Sequence, residues 1–228
     1  MEAANGCYEA GRAAALSGVP RTTVYWWAKQ GIVVPSVSPT REKLWSYSDL
    51  MALRIVSWLR HPKAGAGERP GPSEWVLPAS PMPRVRRALD LLGELGLDLW
   101  TPTGASSSPL LVDGRGDILV RFDGEVLNLD RQPTVLPDPV LGLTAPFRHA
   151  GGDGPDLLRP RAQLRIMPAK VAGEPHIAGS RVTTQTVAAL AQRGFATDAI
   201  AGMYGLDPVA IAEALDLERQ LSGTAVAA

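Results

Sequence analysis

Two groups of residues in this chain have types and spacing that could do chemistry. The first lies in Ile166–Val182, I-M-P-A-K-V-A-G-E-P-H-I-A-G-S-R-V, where two glycines, two prolines and an arginine stand close together. Glycine supplies positive φ and proline fixes φ, so the stretch predicts a folded loop with required backbone geometry. Gly173, Pro175, Gly179 and Arg181 are its structural motif. Such a loop could hold a phosphate, because G-x-P-x-I-x-G-S-R before a helix N-terminus offers backbone N–H groups beside Arg181. Neither a Walker lysine nor G-x-G-x-x-G accompanies it. It could hold a metal through His176 and His149, but no clustered acid or cysteine joins them. The third use fits best: ordering a small bundle for partner binding, with Ile177 and Val182 in the core and Arg181 capping or pairing.

The second group is basic. Arg21, Thr22, Tyr25 and Lys29 recur every three to four residues, which turns them outward from one helix. Arg, Thr and Tyr donate to phosphates and base edges. Arg12 before them, and Arg41 and Lys43 in the extended segment after, complete the candidate DNA-binding set.

Three elements must position that set. Helices are expected at Ala10–Ser17, at Arg21–Gln30 ended by Gly31, and at Asp49–Arg60 with Ser48 as N-cap. Gly18 occupies the turn between the first two, and Ala14, Leu16, Val19, Val24, Trp27 and Ile32 can form a core. A small turn residue, an apolar core and a second helix with a bare outer face are what a helix-turn-helix needs. The stretch from Ile32 to Tyr47 reads as extended, a wing.

Beyond this head, residues 61–83 hold six prolines and read as a linker. An amphipathic helix is expected at 84–97, with Val85, Ala88, Leu89, Leu92 and Leu95 on one face. Residues 110–129 read as β, with Asp123-Gly124 a hairpin turn. Three short helices follow the loop motif: one capped by Thr183 or Thr184, one capped by Thr197, one opened by Asp207-Pro208. The expected fold class is mainly α with a small β-hairpin region. Its parts are a winged helix-turn-helix (1–60), a linker (61–83), an α+β middle (84–144), a loop (145–163), a three-helix bundle (164–221) and a frayed tail (222–228).

Composition limits the function. The chain carries 23 basic and 23 acidic residues. Residues 1–60 hold 7 basic and 4 acidic side chains, while 61–160 hold 10 and 13. A mildly basic head on an acidic middle suits local DNA contact. The lone Cys7 excludes an intramolecular disulfide, and no signal peptide or run of about 18 apolar residues is present. The expectation is a cytoplasmic protein without membrane contact. No carboxylate pair, Ser/His or Cys/His set stands at usable spacing, so no enzyme, cofactor or metal is expected.

At this point the residues carry two resemblances. S-G-V-P-x-x-T-V-x-x-W from Ser17, G-I-x-x-P from Gly31, and Tyr47-Ser48 with Leu50, Leu53 and Arg54 resemble the MerR-like winged helix. Tyr25 stands where that family carries an arginine for a phosphate contact, and proline-rich sequence follows at His61-Pro62 in place of a long coiled-coil helix. I-x-P-x-K-x-x-G-x-P-x-I-x-G-[ST]-R-[IV] from Ile166, then L-A-x-x-G and I-A-x-x-Y-x-L, resembles a widespread prokaryotic small-domain family over residues 164–221. That family is catalogued as a domain of unknown function and is found in VapB-type antitoxins. The resemblance implies a PIN-domain ribonuclease toxin as partner, encoded alongside. A basic side chain entering the toxin's acidic, metal-holding cluster would inhibit it. Arg148, Arg159, Arg161 and Arg165 are the candidates, with Arg181 also considered and 145–165 the wrapping segment.

Together these imply an antitoxin of a type II toxin–antitoxin system that blocks the toxin and represses its own operon by binding operator DNA. The alternative is a one-component transcription regulator with a sensing middle domain. Two-fold DNA sites require two heads, so a homodimer is a possibility, through the apolar face of the 84–97 helix unless that face packs on the 110–129 hairpin.

Overall fold

A computed structural model describes residues 6–64, 76–100, 108–113, 115–134, 141–142 and 159–226. The described residues are mainly α-helical with small antiparallel sheets. In chain order they form β1 (Tyr8–Glu9), α1 (Ala10–Ser17), α2 (Arg21–Lys29), β2 (Leu44–Trp45) and α3 (Tyr47–Arg60). There follow β3 (Lys63–Ala64), β4 (Val76–Leu77), α4 (Met82–Glu94), β5 (Leu110–Val112), β6 (Ile118–Phe122), β7 (Glu125–Leu127) and β8 (Leu141–Gly142). The last elements are β9 (Leu164–Arg165), a 3-10 turn at Val171–Gly173, β10 (His176–Ile177), α5 (Thr184–Gln192), α6 (Thr197–Tyr204) and α7 (Pro208–Val226). No helix among the described residues is long and apolar enough to cross a membrane.

The chain divides into two compact units, Met1–Met51 with Pro146–Ala228, and Ala52–Ala145. Residues 1–51 of the expected winged head and the expected C-terminal bundle therefore belong to one unit, while residues 52–60 fall in the second. The reason lies in α1. Ala10, Ala13, Ala14, Ala15, Leu16 and Ser17 are all buried, leaving this helix almost no solvent face. It packs on α2 and also on α7. Alanine permits such two-sided packing because it adds little bulk and loses no side-chain entropy.

Within this first unit, local chemistry sets the helix ends. Gly18 adopts φ 71° and its N–H donates to the Ala14 carbonyl, closing α1. At α3, Asp49 Oδ2 accepts from the Ser46 N–H at 2.7 Å, and Ser46 Oγ accepts from the Asp49 N–H at 3.1 Å. This reciprocal capping box makes Ser46, not Ser48, the N-cap and starts the helix at Tyr47. Thr183 caps α5 by accepting from the Thr186 N–H. Thr197 does not cap α6: Ala196 holds that position without a side-chain bond, and Thr197 is the first helical residue. Asp207 Oδ1 accepts from the Val209 N–H at 2.8 Å ahead of Pro208. α7 continues to Val226, past Leu221, the expected end of the bundle. β9 and β10 pair antiparallel, Leu164 opposite Ile177.

The second unit holds a sheet of order β7-β6-β5-β8, all antiparallel, and the β3–β4 hairpin. Asp123 and Gly124 take φ 49° and 80°, the left-handed pair of the expected two-residue turn. Val85, Ala88, Leu91 and Leu92 of α4 are buried, and α4 packs on β6. The helix runs from Met82 to Glu94 instead of 84–97, with Pro83 in its first turn. Its apolar face packs on the hairpin strand β6, the alternative to a dimer contact through that face.

Candidate nucleic-acid interface

The outer face of α2 is built by what the helix buries. Val24 and Trp27 are 0% and 4% exposed, which turns Arg21, Thr22, Tyr25, Trp26 and Lys29 to solvent. The Arg21 guanidinium sits 5.7 Å from the centroid of the Tyr25 ring, a cation–π contact that pre-orders the side chain. Tyr25 in turn meets the buried Trp45 ring of β2 edge-on, 6.1 Å between centroids. The tyrosine is therefore a platform with a fixed base and an exposed outer edge. An arginine at that position would present charge alone, whereas this chain presents an arginine laid on an aromatic.

The wing forms as a short loop closed by Ser38 and Leu44, which exchange backbone hydrogen bonds of 3.1 and 2.9 Å. Arg41 is exposed at its tip. Lys43 is not presented in the same way: its Nζ donates to the Pro39 carbonyl at 2.9 Å and closes the tip. The Ser36 N–H and Oγ both donate to Asp49 Oδ2 at 2.8 Å, so the capping box of α3 also anchors the start of the wing.

Arg12 lies behind this face, not on it. Its side chain is 11% exposed. Nε donates to Glu174 Oε2 at 2.9 Å, while Nη1 and Nη2 fork onto the two Glu218 oxygens at 3.0 and 2.9 Å. The Thr184 hydroxyl donates to the same Glu218 carboxylate. Burial works against the guanidinium's charge, but Glu218 and Glu174 outweigh it and raise its pKa. This buried fork ties α1 to the loop before β10 and to α7, and removes Arg12 from the DNA-facing set.

The loop motif is docked on the start of the chain. Val171, Ala172 and Gly173 adopt φ of 45°, 54° and 83° in succession. Left-handed backbone is costly for a β-branched residue such as Val171, and it persists where surroundings over-determine it. Here the Cys7 N–H donates to the Ala172 carbonyl at 2.9 Å, and Tyr8 Oη donates to the Gly173 carbonyl at 2.7 Å. A Cβ on Gly173 would stand 2.1 Å from Tyr8 Oη, so only glycine fits. Burial, with Glu174 adding, raises the Tyr8 pKa and keeps the phenol protonated as a donor.

The other motif residues divide into turn makers and an exposed cation. Gly179 takes φ 77° in a turn closed by the Ser180 N–H to the Ile177 carbonyl at 3.0 Å. The Pro175 carbonyl accepts from the Thr184 N–H at 2.9 Å. Arg181 neither caps nor pairs. It is exposed, and no hydrogen bond or ion pair holds its guanidinium among the described residues. Ser180 holds the turn instead, its Oγ donating to the Ile177 carbonyl and accepting from the Val182 N–H.

His176 is fully buried, and its Nδ1 lies 3.0 Å from the Glu174 carbonyl. A carbonyl only accepts, so Nδ1 carries the proton. Nε2 has no partner among the described residues. Burial lowers its pKa, with Lys170 and Arg165 adding.

Among the candidate toxin-facing arginines, Arg161 and Arg165 are engaged internally. Arg161 bonds Asp216 at 2.9 Å and Gln220 at 2.7 Å, and Arg165 donates to the Ala162 and Leu164 carbonyls. Arg159 is exposed. Arg148, His149 and most of the 145–165 segment lie outside the described residues. Sequence reasoning assigned no role to Glu174 or Glu218, considered Thr184 only as a helix cap, and gave Tyr8 no contact. Their partners are distant in the chain, and no local pattern marks them.

Comparison with curated proteins returned no match. Among solved structures, the X-ray crystal structure of Rv2018 from Mycobacterium tuberculosis is similar at a TM-score of 0.49 and 20% identity, over 92% of this chain and 96% of that one. Residues 165–216, from β9 into α7, match a family model described as "Protein of unknown function (DUF433)".

Proposed function

We propose that this protein is a DNA-binding antitoxin. In this reading it represses its own operon through the α2 face and neutralises a PIN-domain ribonuclease encoded alongside. The observation that carries the DNA half is the exposed set Arg21, Thr22, Tyr25 and Lys29 on one helix face, with Arg21 laid over Tyr25 and Arg41 at the wing tip. A helix with such a face suits a major groove, and a charged wing tip suits the phosphate backbone. The antitoxin half rests on the sequence resemblance over 164–221. On that reading Arg181, exposed and unengaged among the described residues, is a better candidate for an acidic nuclease site than Arg161 or Arg165, whose guanidinium groups are already bound.

Two measurements on the full chain test this. Mobility shift on the DNA upstream of its own gene should show binding that weakens steeply with salt. Co-expression with the neighbouring nuclease should restore growth and yield a co-purifying complex. Absence of both the shift and the complex sinks the proposal. Growth rescue without a shift removes only the autorepressor half.

A further inference from the structure

We propose that Trp26 is a specificity residue that reads thymine, taking the 5-methyl group that this base presents in the major groove. The assignment rests on the DNA-binding reading of the α2 face and names what that face prefers. α2 buries Val24 and Trp27 and leaves Trp26 48% exposed. Among the described residues Trp26 makes no ring or cation–π contact, whereas Tyr25 makes both. The indole therefore has no packing role that accounts for its position in water. Thr22, also exposed, stands four residues before it, about 40° away around the helix. The Thr22 methyl and the Trp26 ring thus share one apolar strip along the outer face.

Charge chooses the occupant. Lys29 falls between Tyr25 and Trp26 on the helix circumference, and Arg21 lies over Tyr25 at the opposite edge from Trp26. No aspartate or glutamate occurs between Glu9 and Glu42, the stretch that holds α1, α2 and the wing. An apolar strip framed only by cations suits a polyanion that carries apolar groups between its phosphates. A membrane-surface helix separates its cations and its apolar groups onto opposite faces, and here they share one face.

The chemistry of the side chain selects the base. An indole has one donor and no acceptor, so it cannot make the bidentate contacts that read guanine or adenine. What it offers is apolar area, and the thymine methyl is the apolar group that a base pair displays in the major groove. Arg21 and Lys29 are then left to the flanking phosphates. Uracil lacks the methyl, and the major groove of A-form RNA is too deep and narrow for side chains to read, so the same contact separates DNA from RNA.

Mobility shift with the full chain tests this on the DNA upstream of its own gene, prepared once with thymine and once with uracil in its place. Wild type should bind the thymine DNA at least about fourfold more tightly, the worth of one buried methyl. Trp26→Ala and Trp26→Gln, checked for folding by circular dichroism, should bind both DNAs alike and keep the wild-type salt slope, since no charge is lost. Trp26→Phe should retain most of the preference. Arg21→Ala with Lys29→Ala should retain it too while lowering the salt slope. Uracil also changes duplex shape, but an effect of shape persists without the indole. A thymine preference that survives in Trp26→Ala or Trp26→Gln therefore overturns the proposal. Equal wild-type affinity for the two DNAs overturns it as well and leaves the DNA-binding reading standing. No shift of either DNA overturns both. If Trp26→Ala loses the complex with the neighbouring nuclease and keeps the thymine preference, Trp26 belongs to that partner and the proposal fails.

Discussion

Tyr8 Oη donates a 2.7 Å hydrogen bond to the carbonyl of Gly173, 165 residues away in the chain. The phenol sits so close that a Cβ on Gly173 would stand 2.1 Å from it, and one on Gly6 would stand 2.8 Å from its ring. The contact joins the first strand to the loop motif. Tyr8→Phe should therefore cost about 1 kcal/mol, the net value of one hydrogen bond. Gly173→Ala adds both a clash and a left-handed non-glycine residue, and should cost about 3 kcal/mol or more. Urea unfolding measures both, and a Gly173→Ala protein as stable as wild type would contradict the contact.

Arg12 should behave as a structural residue. Arg12→Ala leaves Glu174 and Glu218, 19% and 13% exposed, without their cation. Removing one partner from a buried charge network costs about 3–5 kcal/mol. Replacing the triad together, Arg12→Met with Glu174→Gln and Glu218→Gln, should recover much of that loss. The salt dependence of DNA binding should be unchanged in any folded Arg12 variant. A reduced salt slope with wild-type stability would return Arg12 to the DNA face.

Arg21→Ala with Lys29→Ala should lower the salt slope of DNA binding by about 2 and leave the melting temperature unchanged. Arg41→Ala should lower it by about 1. Lys43→Ala should leave it nearly unchanged, because Lys43 is held by the Pro39 and Thr40 carbonyls. Binding isotherms over a salt series separate these outcomes. A Lys43 effect as large as that of Arg41 would show that the wing tip reopens on DNA.

The buried His176 predicts a fold that loses stability in acid. Its pKa is lowered in the folded chain, chiefly by burial, so the unfolded chain takes up the proton first as pH falls. Its contribution to stability is complete above the ordinary histidine pKa of about 6.5 and is lost as pH drops below it. Stability measured by urea unfolding should decline from pH 7 to pH 5. His176→Asn keeps a donor for the Glu174 carbonyl and removes the titration, so its curve should be flatter. Parallel curves for the two proteins would place the acid sensitivity elsewhere.

The local punctuation of this chain was legible in the residues. Gly18 and Gly31 do terminate helices, with φ of 71° and 67°. Asp123-Gly124 makes its turn, and the head's core residues Leu16, Val19, Val24 and Trp27 are all buried. Errors arose where two local signals competed. Ser46 and Ser48 both precede α3, and only Ser46 stands three residues before Asp49, the spacing a capping box needs. Thr197 is a good cap by type, yet Ala196 takes the extended backbone at that helix start.

The sequence by itself determined which helices and turns form, and which side of α2 faces outward. These depend on residues within about one turn of one another, so type and spacing suffice. Only the tertiary structure decided what Arg12 does, because its partners are Glu174 and Glu218, 162 and 206 residues away. The same holds for Gly173, whose lack of a side chain answers to Tyr8 as well as to its own turn. It holds again for the single unit formed by the two ends of the chain, since an alanine-rich α1 gives no local sign that α7 covers its second face. Such contacts form only when the whole chain has folded, and burial then makes each of them specific.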